Sequence, residues 1–126
     1  MKRKIKFRAW IKEEKRMVEV EVVNTRAGII GYVEKSKLTN GYYLKSMDYD
    51  EIELMQYTGR TDINGKEIYE GDIVVNLDGD CGYVFFKDGT YNVQHDEYTG
   101  YLFAWEYEIK GNIYENSEML NKNTSV

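Results

Sequence analysis

The chain is divided into short β-type runs by turn sequences, and the sharpest of these turns is Asp88-Gly89. A two-residue Asp-Gly loop between β-type runs favours a type I′ hairpin turn, which needs positive φ at both positions. The flanking runs 82–87 and 90–94 are therefore predicted to be paired strands. Proline is absent, so every peptide bond is expected to be trans.

A second hairpin is predicted at the amino-terminal end, over residues 3–23. Residues 4–11 alternate, with Ile5, Phe7 and Ala9 on one face and basic residues on the other. Residues 17–23 alternate valine with glutamate. The basic face of the first strand and the acidic face of the second would complement each other across an antiparallel pair.

Further short runs complete a β-rich pattern. Strands are predicted over residues 29–33, 42–44, 52–57, 71–77, 101–109 and 111–114, with a loop at 34–38 and a turn at 98–100. The twelve tyrosines favour the same structure, because aromatic side chains suit a half-buried pleated surface. A short helix is predicted over 117–121 with Asn116 as its N-cap, followed by a disordered tail at 122–126.

This pattern predicts a mainly β fold (β-rich α+β) in a single domain. An N-terminal β-hairpin layer is predicted over 1–56, and an SH3-like small barrel with a short terminal helix over 57–121, because short, evenly spaced strands are typical of such barrels. The net charge of −5 argues against non-specific nucleic-acid binding. The single cysteine fits a reducing cytosol, and no apolar run approaches the ~18 residues of a membrane helix, so a soluble cytoplasmic protein is expected.

Three segments together resemble the YopX-like family of phage and prophage proteins. They read IKFRAWIKEEKRMVEV from residue 5, LMQYTGRTDINGKEIYEGDIV from residue 54, and YEIKGNIYEN from residue 107. The chain departs from that family at Lys110, where an apolar residue is usual, and at Ser117, where proline is usual. The resemblance implies a small phage-encoded protein that acts in a bacterial cytoplasm, contains an SH3-like portion and self-associates. It implies no reaction and no catalytic residues.

Polar residues of the central segment, together with one tryptophan, are the candidate binding residues. The set is Thr58, Arg60, Asp62, Lys66, Asp72 and Trp105. A structural interpretation explains the polar ones equally well, since Asn64-Gly65 makes a turn and the Thr58 and Asp72 side chains can satisfy local backbone amides. No catalytic residue, metal ligand or cofactor is predicted.

Other candidate sites are each matched by a simpler structural interpretation. Cys81 and His95 could form a thiol–imidazole pair, although a lone cysteine usually packs as a small hydrophobe. The turn at 76–80 fails as an EF-hand, because Cys81 and Lys87 stand where glycine and glutamate are needed. The acidic residues Asp48, Asp50, Glu51 and Glu53 could bind a divalent metal, but also suit a solvated face.

The leading functional hypothesis is a non-enzymatic, self-associating interaction module that binds an unknown host or phage macromolecule. A metal-dependent hydrolase or nuclease that uses the acidic residues is the first alternative. The second is nucleic-acid binding through the basic strand that contains Lys2, Arg3, Lys4, Lys6 and Arg8. No membrane partner is predicted.

Overall fold

A computed structural model describes residues 2–120 of the chain. The prediction of a mainly β fold is confirmed, with 55% of residues in strands and 8% in helical turns. The strands are β1 (Phe7–Ile11), β2 (Arg16–Val20), β3 (Val22–Asn24), β4 (Ile29–Lys35), β5 (Tyr42–Asp48), β6 (Ile52–Thr61), β7 (Glu67–Tyr69), β8 (Asp72–Asn76), β9 (Cys81–Lys87), β10 (Thr90–Gln94), β11 (Thr99–Tyr101) and β12 (Tyr107–Asn112).

Within residues 2–120, helical structure is limited to three short 3₁₀ turns, which span Tyr49–Glu51, Ala104–Glu106 and Ser117–Leu120. The third stands where the terminal helix was predicted. Asn116 does not cap it with its side chain, because Oδ1 of Asn116 accepts the N–H of Asn112 at 3.1 Å. Only the backbone carbonyl of Asn116 receives a bond from the turn, from the N–H of Met119 at 3.0 Å. Asn121 and the predicted tail at 122–126 lie outside the described residues.

The described residues form two compact units. The N-terminal unit is Lys6–Gln56, and the C-terminal unit comprises residues 2–5 and 57–120. The strand β6 contributes to both: its first half pairs with β1, and Tyr57 and Thr61 pair with β7. No helix within residues 2–120 is long and apolar enough to cross a membrane.

The N-terminal unit contains β1 paired on either side with β2 and β6, and a separate three-stranded sheet in the order β3-β4-β5. The predicted 4–11 strand begins later, at Phe7, so Ile5 lies before it and is 60% exposed. The predicted 17–23 strand is divided at Glu21, because the N–H of Glu21 already bonds to Gly31 O at 2.8 Å. The chain therefore leaves the first hairpin and enters the second sheet at this residue.

An apolar core holds the N-terminal unit together. It consists of Ala9, Ile11, Ile30, Tyr32 and Ile52, each at most 4% exposed. Strand alternation selects these residues, since every second side chain of β1 and β4 points to the same face. Strands β4 and β5 of this three-stranded sheet extend beyond the predicted 29–33 and 42–44, and β4 takes two residues from the predicted loop.

The C-terminal unit contains a five-stranded antiparallel sheet in the order β11-β10-β9-β8-β12, which curls into a half-barrel. The Asp88-Gly89 turn has positive φ at both residues, 54° and 78°, so the predicted hairpin is confirmed. The apolar core of the C-terminal unit consists of Ile68, Val74, Val84, Val93, Leu102, Ala104 and Tyr107. An SH3-like closure of this sheet stays a prediction.

Several boundaries in the C-terminal unit differ from the prediction. The 101–109 run is interrupted by the 3₁₀ turn at Ala104–Glu106, and strand β11 occupies the predicted turn at 98–100. The predicted 111–114 strand ends at Asn112. Oδ1 of Asn112 accepts the N–H groups of Tyr114 and Glu115, at 3.0 and 2.9 Å, and these bonds turn the chain away from β8.

Candidate functional site: an exposed aromatic strip

Three aromatic side chains leave the same face of the chain where β11 ends. Tyr101, Phe103 and Trp105 are 39%, 40% and 68% exposed, whereas the intervening Leu102 and Ala104 are buried in the core. From Tyr101 to Phe103 the alternation follows from extended backbone, which points successive side chains to opposite faces, and Trp105 follows in the 3₁₀ turn Ala104–Glu106. Because Leu102 and Ala104 are fixed by the core, the three aromatic residues are held outward in a row.

The rings of this aromatic strip (Tyr101, Phe103, Trp105) contact one another in sequence. The ring centroids of Tyr101 and Phe103 lie 4.8 Å apart and those of Phe103 and Trp105 lie 5.1 Å apart, with interplanar angles of 59° and 56°. These separations lie in the range in which tilted aromatic pairs attract each other. The rings therefore form one continuous apolar surface that is open to solvent.

Arg60, on strand β6, fixes the first ring of the strip. Its guanidinium carbon lies 4.8 Å from the Tyr101 ring centroid, Nη1 donates to Leu102 O at 2.5 Å, and Nη2 donates to the Tyr101 hydroxyl. The hydrogen bond from Arg60 is the main cause that lowers the pKa of the Tyr101 hydroxyl below its ordinary value. Tyr101 is thereby held in one orientation before any partner binds.

A shallow cleft of about 670 Å³ lies next to the strip. It is lined by Arg60, Thr61, Asp62, Ile63, Ala104 and Trp105. Three of the predicted binding residues, Arg60, Asp62 and Trp105, therefore lie around one concave surface. The indole of Trp105 forms its most exposed wall, and Ile63, 48% exposed, adds apolar surface.

Asp62 shapes the floor of this cleft instead of facing a ligand. The residue is 6% exposed; Oδ1 accepts the N–H groups of Asn64 and Lys66, and Oδ2 accepts that of Ile109, all at 2.9 Å. Burial by itself would raise the pKa of this carboxyl, but the three N–H donors outweigh it and lower the pKa below its ordinary value. The carboxylate organises the Asn64-Gly65 turn and joins it to β12.

Thr58 and Asp72, also predicted as binding candidates, make local backbone contacts. Thr58 Oγ1 donates to Ile68 O at 2.8 Å and accepts the N–H of Arg60 at 3.2 Å. Asp72, 3% exposed, accepts the N–H of Tyr69 at 2.8 Å. Lys66 is exposed, and its backbone N–H is one of the three that donate to the Asp62 carboxylate. The candidates thus divide into a cleft group and a turn-forming group.

The Cys81 and His95 pair lies at a second cleft, of about 620 Å³. The imidazole is buried, with Nε2 2.9 Å from the Tyr107 hydroxyl and Nδ1 3.3 Å from the backbone oxygen of Cys81. Both ring nitrogens are engaged by groups other than the thiol, while Cys81 Sγ donates to Met119 O at 3.9 Å. Burial raises the pKa of the Tyr107 hydroxyl to about 12, so it stays protonated at neutral pH. The arrangement suits a packed core histidine better than a catalytic base.

Two of the four acidic residues considered as metal ligands, Glu51 and Glu53, have carboxylates engaged in local structure. Glu51 Oε2 accepts the N–H of Asp48 at 3.0 Å, and Glu53 forms an ion pair with Lys12 at 3.5 Å. Oδ1 of Asn76 accepts the N–H groups of Asp78 and Asp80, which makes the 76–80 segment a hydrogen-bonded turn. Within residues 2–120, no three His, Cys, Asp or Glu side chains are grouped so as to hold a metal ion.

The basic residues at the start of the chain do not share one strand. Strand β1 begins at Phe7, and Lys4 forms an ion pair with Glu67 at 3.1 Å. Arg8 stands opposite Glu19 in the β1–β2 register, as charge complementarity predicted. The predicted basic strand face is therefore shorter than the sequence pattern indicated.

Sequence reasoning found Trp105 and Arg60 but missed Tyr101 and Phe103. The signal was present in the alternation of residues 101–105, in which large aromatic residues occupy every second position. It was obscured because the run was interpreted as one strand through residue 109. The 3₁₀ turn at Ala104–Glu106 keeps Trp105 on the aromatic face.

Comparisons with known proteins place the chain in a family. Its fold is similar to that in the crystal structure of protein EF1440 from Enterococcus faecalis, with a TM-score of 0.68 and 26% sequence identity. The similarity covers 94% of this chain and 99% of that one. No curated protein sequence matches the chain. Residues 6–121 match the family described as YopX protein, and the chain therefore belongs to the YopX family.

Proposed function

We propose that this protein is a non-enzymatic interaction module, encoded by a phage or prophage and acting in the bacterial cytoplasm. In this proposal it self-associates and binds a host or phage macromolecule through the aromatic strip. The observation that carries the proposal is the row of three contacting, solvent-exposed rings at Tyr101, Phe103 and Trp105. Exposed aromatic residues that adjoin one another are the side chains most enriched at the centres of protein interfaces.

Preorganisation supports this use of the strip. A binding surface loses less entropy on association when its side chains are already ordered. Arg60 anchors Tyr101, the buried Leu102 and Ala104 fix the backbone between the rings, and each ring restrains the next. The cleft beside Trp105 offers a pocket for one side chain of the partner.

Quantitative affinity capture from host cells that carry the phage tests this proposal. The wild-type protein, Trp105→Ala and Phe103→Ala are compared, with Phe86→Ala as the matched control. Phe86 is 51% exposed, but it packs against Tyr91, on the face of the hairpin opposite Asn92 and Tyr101. We expect the strip variants to bind the captured partner at least roughly tenfold more weakly and the control to bind it normally.

Equal binding of one partner by the wild-type protein and both strip variants would refute this role for the strip. The purified partner is then titrated against each variant, so that the loss is measured as an affinity. Circular dichroism of each variant shows whether its fold is intact.

Two further measurements address the alternative functions. If the strip stacks nucleobases, a single-stranded oligonucleotide should bind at low salt with an affinity that falls steeply as salt is added. If the acidic residues hold a catalytic metal, Mg²⁺, Mn²⁺ or Zn²⁺ should raise the melting temperature. Oligonucleotide binding through the strip would make the partner a nucleic acid instead of a protein, and a metal-dependent rise in melting temperature would contradict the non-enzymatic part of the proposal.

A further inference from the structure

Strand β5 lies at an edge of its sheet and carries an unusual amount of exposed apolar surface. It pairs with β4 on one side, and within residues 2–120 no strand lies on its other side. The first three residues, Tyr42, Tyr43 and Leu44, are 70%, 49% and 55% exposed. A seven-residue edge strand whose first three residues are apolar is a template for pairing with another chain, and folded proteins usually shorten, twist or cover such edges.

The outward face of the sheet continues this apolar surface. Val22 and Val33 are 46% and 49% exposed, and both lie on the face of Leu44. Gly31 lies between them; a Cβ there would stand 3.3 Å from Leu44 Cδ1 and 3.4 Å from Val22 Cβ. The side chains therefore close over the glycine and form one patch that reaches the free edge.

Charges at the two ends of β5 are of opposite sign. Lys35 stands opposite Tyr42 at one end, with Lys37 two residues further on. Asp48 ends the strand at the other end, and Asp50 follows it. Of the other nearby charges, Glu34 is paired with Arg16, and Lys12 with Glu53. Antiparallel pairing of two such strands sets the basic end of one against the acidic end of the other, whereas parallel pairing aligns like charges.

We propose that β5 pairs antiparallel with β5 of a second copy of this chain, with Leu44 opposite Leu44 at the two-fold axis. Pairing centred on Lys45 overlaps more residues, but it places two ammonium groups face to face. Pairing centred on Leu44 sets Tyr43 against Lys45 and Tyr42 against Ser46, and joins the two apolar patches across one six-stranded sheet. The inference rests on the self-association in the proposed function and specifies its surface.

Cysteine cross-linking tests the register. In a Cys81→Ser background, Leu44→Cys should form a disulfide-linked dimer under mild oxidation. Directly opposed residues of an antiparallel pair have Cα atoms about 4.5–5.5 Å apart, which suits a disulfide. Ser46→Cys alone is the matched control and should not cross-link, whereas a mixture of the Tyr42→Cys and Ser46→Cys proteins should. Cross-linking of Lys45→Cys in preference to Leu44→Cys would overturn the register.

Light scattering tests the surface independently of cysteine chemistry. Leu44→Lys should weaken dimerisation at least roughly tenfold, because it places like charges opposite each other at the axis. Trp105→Ala should leave the dimer intact, and circular dichroism shows that each variant is folded. A dimer that survives Leu44→Lys and gives no Leu44→Cys cross-link would overturn this inference but not self-association. A wild-type monomer at high concentration would overturn both, while the role of the aromatic strip is still decided by partner capture.

Discussion

The two units of the molecule are stabilised in different ways. All four buried polar side chains of the described residues, Asp62, Asp72, His95 and Asn112, belong to the C-terminal unit. The N-terminal unit has an apolar core, and its main side-chain ion pair, Arg16 with Glu34, is partly exposed. Buried polar groups stabilise a fold only when they are hydrogen-bonded, so each one in the C-terminal unit specifies a particular loop conformation.

The two units therefore depend on different interactions for their structure. In the C-terminal unit, buried acceptors hold turns in place, whereas the backbone of the aromatic strip is fixed by the buried Leu102 and Ala104 and by the hydrogen bond from Arg60. In the N-terminal unit the strand ladders and the apolar core do this work, and an apolar face is left exposed. Removal of a hydrogen-bonding side chain should therefore destabilise the C-terminal unit strongly and the N-terminal unit weakly.

Each unit contains one of the two tryptophans, Trp10 or Trp105, so the comparison can be measured unit by unit. Chemical unfolding is followed by fluorescence in a Trp105→Phe background, where Trp10 is the reporter, and in a Trp10→Phe background, where Trp105 is. The variants below are placed in both backgrounds. A polar deletion confined to one unit should shift mainly the reporter of that unit.

The largest effect is expected from Asp62→Ala. The change leaves three N–H groups, those of Asn64, Lys66 and Ile109, without their acceptor, and should cost about 4 kcal/mol of unfolding free energy. The unfolding midpoint reported by Trp105 should fall further than that reported by Trp10. Equal shifts of the Trp105 and Trp10 midpoints would show that the two units unfold together, which would contradict a difference in how they are stabilised.

The same carboxylate gives the C-terminal unit a predictable pH dependence. Because its pKa in the folded state lies below the ordinary value, its contribution is fully present above an unfolded pKa of about 4. The contribution is lost as pH falls through the lower, folded pKa. Asp62→Asn should flatten this part of the acid unfolding profile, and an unchanged profile would assign the acid sensitivity to other groups.

A smaller loss of unfolding free energy is expected from Gly82→Ala. A Cβ at Gly82 would lie 2.6 Å from the carbonyl oxygen of Gln94 and 2.6 Å from Val93 Cγ1, so two central strands would have to separate. We expect a cost of about 3 kcal/mol, measured by Trp105 fluorescence. Gly100→Ala is the control, because the nearest atom to its Cβ, Tyr98 Cε2, is 3.9 Å away. A harmless Gly82→Ala would mean that the half-barrel is more tolerant than its packing indicates.

The smallest effect is expected in the N-terminal unit, from Glu34→Gln. The hydrogen bond from Arg16 lowers the pKa of Glu34, but the carboxylate is solvent-accessible and water screens the pair. The shift in the Trp10 midpoint should be close to measurement error and should vanish at roughly 1 M salt, where charges are screened within about 3 Å. A loss as large as that of Asp62→Ala would remove the contrast between the units.

The sequence predicted those parts of the fold that depend on local rules. The Asp88-Gly89 turn was found because only a few residue types accept two positive φ angles, and the strands around it follow. The β1–β2 hairpin was found because its side chains alternate. Both signals are contained in stretches of fewer than about 25 residues.

Long-range contacts account for what the sequence did not predict. The break at Glu21 depends on a hydrogen bond to Gly31, and strand β7 was missed because three residues carry no periodic pattern. Asp62 was identified from the sequence only as a candidate binding residue, and its bond to Ile109, 47 residues away, is visible only in the structure. Arg60 and Trp105 were selected one by one, and only the fold shows that they flank one cleft.

The C-terminal unit is built from two separate segments of the chain, and this has a consequence for synthesis on the ribosome. Residues 2–5 belong to it, although the whole N-terminal unit follows them in the chain. The ion-pair partner of Lys4, Glu67, is synthesised 63 residues later. At bacterial and eukaryotic translation rates of about 5–20 residues per second, this delay is roughly 3 to 13 seconds. The segment Lys6–Gln56 is continuous and can begin to fold as it emerges. Residues 2–5 are therefore made before the N-terminal unit but pack into the C-terminal unit only after it has been made.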